Sequence, residues 1–176
     1  MILYLCRHGS AEDLSATGRD ADRALTDEGR SKFRKVARGF ADLDPEIRVI
    51  FTSPLLRACQ TAEILCDILT KHTTTAPKLT ILPALGLGAS WKAVRTTLQN
   101  IPNPEAQIVA VGHEPFLSEL VYDLCLKAEK SPPTSPITPG GGVEFKKGGM
   151  AALRLNPDLT AGTLLWLAPP GMMRKL

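Results

Sequence analysis

No two cysteines in this chain are spaced CxxC, no apolar run is long enough to span a bilayer, and no run of Lys and Arg reaches the density of a nucleic-acid or membrane patch. Each absence removes a class of function. Cys6, Cys59, Cys66 and Cys125 sit in apolar segments, which fits reduced, buried thiols better than a disulfide framework or a zinc site. The N-terminal run Ile2-Leu3-Tyr4-Leu5-Cys6 is too short for the core of a signal peptide and meets Arg7 at once, so a cytoplasmic protein without membrane attachment is expected. A net charge of only +3 argues against nucleic acid as a partner, while its mild basic bias favours an anionic substrate. HExxH, an EF-hand loop and a glycine-rich Walker loop are missing, as are internal repeats, and no acidic cluster is spaced to hold Mg²⁺. Neither a metal nor another cofactor is expected.

What is present begins with Arg7-His8-Gly9, placed directly after that apolar run of strand formers. The glycine supplies a sharp turn, so a guanidinium and an imidazole stand at the C-terminal end of a strand, the edge where open α/β sheets bind ligands. Neutral imidazole can attack phosphorus, and an adjacent arginine can hold phosphoryl oxygens bidentately. The pattern therefore points to phosphoryl transfer through histidine.

A chain of 176 residues, 44% hydrophobic and 22% charged, can bury one core, which predicts a single domain over residues 1–176. A polar loop over 15–24 leads to Thr26, which can cap a helix running to about residue 43 with Asp27 and Glu28 in its first turn. Phe33, Val36, Ala37 and Phe40 recur at helical spacing along it. A second strand over 49–52 precedes Ser53-Pro54, read as an N-cap and first-turn proline of a helix that carries Arg57 near its start. A brief strand over 79–82, a helix over 91–98 and a buried strand over 107–111 follow. That last strand ends in Gly112-His113-Glu114-Pro115, and a helical period then runs from Phe116 to Leu124, repeating the first strand-loop-helix junction. Residues 131–142, dense in Pro, Ser, Thr and Gly, read as a surface loop, and the last strands fall near 151–155 and 163–168. Alternating strands and helices with a terminal strand pair predict an α/β three-layer sandwich, a mainly parallel central sheet flanked by helices on both faces.

Four blocks, in order, carry a resemblance: Leu5-Cys6-Arg7-His8-Gly9; Arg23-Ala24-Leu25-Thr26; Thr52-Ser53-Pro54 with Arg57-Ala58-Cys59-Gln60-Thr61-Ala62; and Val111-Gly112-His113-Glu114-Pro115. The chain resembles the histidine phosphatase superfamily, and within it the short SixA-type phosphohistidine phosphatases. The resemblance implies the phosphoglycerate mutase-like fold in a short form without a helical cap. It also implies that His8 accepts the phosphoryl group while Arg7, Arg57 and His113 surround its oxygens. Two arginines and a second histidine supply the cationic donors that phosphoryl transfer needs without a metal. Neighbouring arginines would keep His8 neutral, with its second ring nitrogen donating to a backbone carbonyl. Arg23 either extends the phosphate clamp or pairs with Asp20 or Asp22.

Superfamily members that cleave alcohol phosphates commonly carry a carboxylic acid after the second helix, because an alkoxide needs a proton to leave. Here no Asp or Glu occurs from residue 68 to 104, and the comparable stretch reads Leu82-Pro83-Ala84-Leu85-Gly86. Imidazole, with an unperturbed pKa of about 6.5, departs near neutrality without a strong protein acid. A phosphohistidine-bearing protein is the expected partner, its phosphate the group transferred, and a short, open site would admit it. Glu12, Asp13, Asp20, Asp22 and Glu114 are the alternative proton donors. A broad phosphomonoesterase for small esters and a non-catalytic phosphate-binding module are the competing functions. Ser53 reads as a cap rather than a nucleophile, His72 as a surface residue at a helix end, and Trp91 and Trp166 as packing residues.

Overall fold

Alternation of apolar side chains makes each strand present one face to each of two helical layers. The computed structural model describes residues 1–73, 75–126 and 143–176, so the surface loop read over 131–142 lies outside the described residues. In chain order the elements are β1 (Ile2–Arg7), α1 (Asp27–Ala41), β2 (Ile47–Thr52), α2 (Leu56–His72), β3 (Lys78–Ile81), α3 (Trp91–Gln99), β4 (Gln107–Gly112), α4 (Phe116–Val121), β5 (Met150–Leu155), β6 (Gly162–Ala168) and α5 (Pro170–Met173). The strands form one sheet in the order β3-β2-β4-β1-β5-β6, with β1 to β4 mutually parallel, β5 antiparallel to β1 and β6 antiparallel to β5. No helix among the described residues is long and apolar enough to cross a membrane.

Two cores flank the sheet. On one face Cys6, Ile50, Val109 and Val111 meet Phe33, Val36 and Phe40 of α1, Ala62, Leu65 and Leu69 of α2, and Met173 of α5. On the other, Leu3, Leu5, Phe51, Ile108 and Ala110 meet Val94 and Leu98 of α3 and Leu117, Leu120 and Val121 of α4. Leu3 and Leu5 thus face away from Cys6, the period-2 pattern of a strand covered on both sides. The three layers and the mainly parallel sheet match the expectation from sequence.

The differences are local. Thr26 caps α1 as expected, its Oγ1 accepting the Gly29 N–H at 2.8 Å, a contact of the kind that contributes about 1 kcal/mol. α1 ends at Ala41 rather than near 43. α2 begins at Leu56 with Leu55 as its N-cap, so Ser53 is not the cap read from the sequence. Short 3-10 turns form at Asp20–Asp22 and Pro83–Leu85, and α4 continues into a π-helical turn at Tyr122–Leu126. Of the four cysteines, which are all free, only Cys6 is fully buried, while Cys59, Cys66 and Cys125 are partly exposed. Trp91 and Trp166 pack against the two cores, Trp166 with its ring 5.9 Å from that of Tyr4, and His72 is exposed at the end of α2.

α1 is docked by two glycines ten residues apart. A Cβ on Gly39 would fall inside contact distance of the Met173 carbonyl oxygen, and one on Gly29 would strike the carbonyl oxygen of Ser10, two residues beyond His8. Gly39→Ala is expected to cost at least about 2 kcal/mol in urea unfolding, as overpacking against backbone does, with unchanged turnover per folded molecule. Gly29→Ala is expected to cost a similar amount and also to lower turnover, because it displaces the segment that follows His8.

Candidate active site

Strand register decides which residues meet. Arg7 on β1 pairs with Gly112 on β4, and Thr52 on β2 pairs with Val111 on β4, so the residues that follow, His8, His113 and Ser53, emerge side by side at one sheet edge. Arg57 comes from the first turn of α2, which starts just past β2. His8, Ser53, Arg57 and His113 are all buried, at 7%, 0%, 6% and 7% exposure respectively. Polar groups buried that deeply need partners.

His8 is fixed from both ends. Its backbone N–H donates to the Gly112 carbonyl at 3.2 Å, and its carbonyl accepts from Gly148 at 3.0 Å. Its ring Nδ1 lies 2.7 Å from the Gly9 carbonyl oxygen, and because a carbonyl only accepts, Nδ1 carries the hydrogen and Nε2 is left with a free lone pair. This is the backbone contact expected from sequence. Burial is the main cause that lowers its pKa to about 3, outweighing the Gly9 hydrogen bond, with the charges of His113, Arg57 and Arg7 acting in the same direction as burial. The arginines, given that role in the sequence reading, are thus secondary to desolvation.

His113 lies with its ring centre 5.0 Å from that of His8. Its Nε2 is 2.8 Å from the Ser53 hydroxyl, which itself accepts the Leu55 N–H at 3.3 Å. The other ring nitrogen, Nδ1, is a buried atom without a protein partner. Burial, followed by the Arg57 charge, lowers the pKa of His113 to about 4, against a smaller opposing effect of Asp20. Arg7 donates through Nη1 to the Phe145 carbonyl, and its buried Nε is also unpartnered. Arg7 Nε at the end of β1 and His113 Nδ1 just past β4 are thus two buried nitrogens free of protein partners, and a nitrogen that carries hydrogen there is suited to a bound oxyanion.

Arg57 donates to the Asp20 backbone carbonyl at 2.8 Å and to Asp20 Oδ2 at 3.0 Å. Arg23 contacts the other carboxylate oxygen, Oδ1, at 2.8 Å and donates through Nε to the Glu12 carbonyl. Asp20 thus joins both arginines, and its hydrogen bonds with Arg23 and Arg57 hold its carboxyl below the usual carboxylate range. Asp22 pairs instead with Arg19 and Thr17. Thr61, read only as part of a motif block, accepts the Gly9 N–H at 3.0 Å and donates to the Arg57 carbonyl at 2.7 Å, tying α2 to the turn after His8. Ser53 and Thr61 are site residues that residue-by-residue reading missed; their presence in the same motif block as Arg57 was the available signal.

The sequence pattern of the histidine phosphatase superfamily (branch 1) matches residues 3–80. An uncharacterized protein of Picosynechococcus sp. is 38% identical over 120 residues, 68% of this chain and 70% of that one. The phosphohistidine phosphatase SixA of Escherichia coli is 31% identical over 128 residues, 71% and 74% of the two chains. The structure of the protein histidine phosphatase SixA complexed with tungstate superposes with a TM-score of 0.77 at 28% identity, covering 97% of this chain and 98% of that one.

Two outcomes are expected. Ser53→Ala frees the His113 ring to exchange tautomers and lowers kcat about tenfold, the scale of one hydrogen bond, while Ser53→Thr restores both; ring ¹⁵N shifts of His113 report the tautomer. Because both histidines have lowered pKa values in the folded state, the unfolded chain takes up protons that the folded one refuses as pH falls below about 6.5. Their contribution to stability is complete above that pH and is lost as pH falls toward about 4 and then about 3. NMR titration of the ligand-free protein should find both rings uncharged at pH 5, and His8→Asn should flatten the acid loss of stability.

Proposed function

The chain belongs to the histidine phosphatase superfamily, and on that premise we propose that it is a metal-independent phosphohistidine phosphatase acting on a phosphorylated histidine of another protein in the cytoplasm. The observation that carries the reading is His8 itself, its Nδ1–H committed to the Gly9 carbonyl and its Nε2 lone pair free beside Arg7, Arg57 and His113. His8 Nε2 attacks phosphorus in line, the bond from phosphorus to the leaving group breaks, and the phosphoryl group passes to His8. Arg7 Nε, Arg57 and His113 Nδ1–H take the equatorial oxygens as charge redistributes. Water then cleaves the phosphohistidine, returning the electron pair to Nε2.

The placement of the carboxylates supports this substrate class. The connection from β3 to β4 is free of Asp and Glu until Glu105. One carboxylate that reaches the clamp, Asp20, is held ionised by its arginines and so has no proton to give at neutral pH. A leaving group that requires an acid is therefore poorly served, whereas imidazole is not. Among the described residues no group of three or more His, Cys, Asp or Glu side chains is placed to hold a metal ion. The free cysteines fit a reducing compartment.

The deciding experiment compares phosphohistidine-bearing proteins with small phosphate esters in excess chelator. Phosphohistidine is expected to be cleaved faster, without effect of chelator, and rapid quench should trap acid-labile, base-stable phosphate on His8. His8→Ala is expected to abolish turnover with the fold intact. Efficient sugar-phosphate hydrolysis with little phosphohistidine cleavage would establish a broad phosphomonoesterase instead, and absence of both turnover and His8 phosphorylation would leave a phosphate-binding module.

A further inference from the structure

One carboxylate joins the buried floor of the site to the solvent. Asp20 sits in the 3-10 turn Asp20–Asp22, with Oδ2 on Arg57, whose side chain is 7% exposed, and Oδ1 on Arg23, while its own side chain is 47% exposed. Its charge is felt at His113, where it opposes the fall in pKa. The two arginines use two of the roughly four lone-pair positions of a carboxylate, so acceptor capacity remains on a group that is about half exposed. Arg57, in turn, uses two of its five N–H donors on Asp20 and keeps the others for a phosphoryl group.

We propose that Asp20 is a specificity-determining residue: its carboxylate accepts the hydrogen on the ring nitrogen of a substrate phosphohistidine that is remote from phosphorus, and thereby selects imidazole over alkoxide leaving groups. The inference rests on the reading of His8 as nucleophile toward phosphohistidine. Protonated on its remote nitrogen, the substrate ring is an imidazolium; when His8 Nε2 forms its bond to phosphorus, the old N–P bond breaks, its electron pair stays on the substrate nitrogen, and neutral imidazole departs with its hydrogen still in place. No further acid is consumed. An ionised carboxylate stabilises that imidazolium, whereas the same charge opposes the negative charge that grows on an ester oxygen as it leaves.

Asp20→Asn removes the charge while keeping shape, in an exposed turn where folding should survive, as a thermal melt would verify. Turnover of a phosphohistidine protein is expected to fall about thirtyfold, on the scale at which a charge-assisted hydrogen bond acts, but that of para-nitrophenyl phosphate only about threefold through looser holding of Arg57. Asp20→Glu should recover part of the lost preference. Equal losses on the two substrates would reduce Asp20 to a residue that positions Arg57 and would overturn the inference alone. Failure of the unmodified protein to cleave phosphohistidine while it hydrolyses the aryl ester would overturn the functional reading, and this inference with it.

Discussion

Two imidazoles kept uncharged by burial, next to two arginines, form the constraint around which this molecule is arranged. An imidazole in water at neutral pH spends part of its time protonated, and in that state it is no nucleophile. Excluding water around His8 removes that competition, and the adjacent cations push the same way. The arrangement costs stability, because buried polar groups must be met by other polar groups. Those groups are the carbonyls of Gly9, Phe145 and Asp20, together with the Ser53 hydroxyl.

Backbone carbonyls hold position only if the backbone is rigid, and the sheet provides that rigidity. β1 lies between β4 and β5, so Arg7 and His8 leave a central strand of the sheet with their main-chain groups bonded to Gly112, Gly148 and Gly149. α1 presses against the following turn through Gly29, and α2 ties to it through Thr61. Arg57 and Arg23, which arise from a helix start and a loop, lack such backing and are instead braced by Asp20. Ionic bracing permits adjustment that a strand end does not.

Much of the fold was legible because its signals are local. Ile2 to Cys6 announces a buried strand by composition, Thr26 with Asp27 and Glu28 announces a helix start, and the repeat of Phe33, Val36, Ala37 and Phe40 announces its buried face. The reading of Ser53 as a helix cap failed because a serine before a proline satisfies the local rule, while its hydroxyl is claimed by His113, sixty residues away in sequence. The 3-10 turn at Asp20–Asp22 gave no periodic signal, since three residues are too few to show one.

The sequence by itself determined the element order, the strand-turn placement of Arg7, His8 and His113, the absence of an acid between residues 68 and 104, and the membership of Arg57 in a helix's first turn. These are properties of short segments, set by side-chain alternation, backbone preference and residue type. Only the tertiary structure decided that burial rather than cationic neighbours chiefly keeps His8 neutral, that Ser53 orients His113, and that Asp20 joins Arg23 to Arg57, the latter 37 residues from Asp20 in sequence. Those outcomes depend on register between strands distant along the chain and on how completely water is excluded, and no local pattern encodes either.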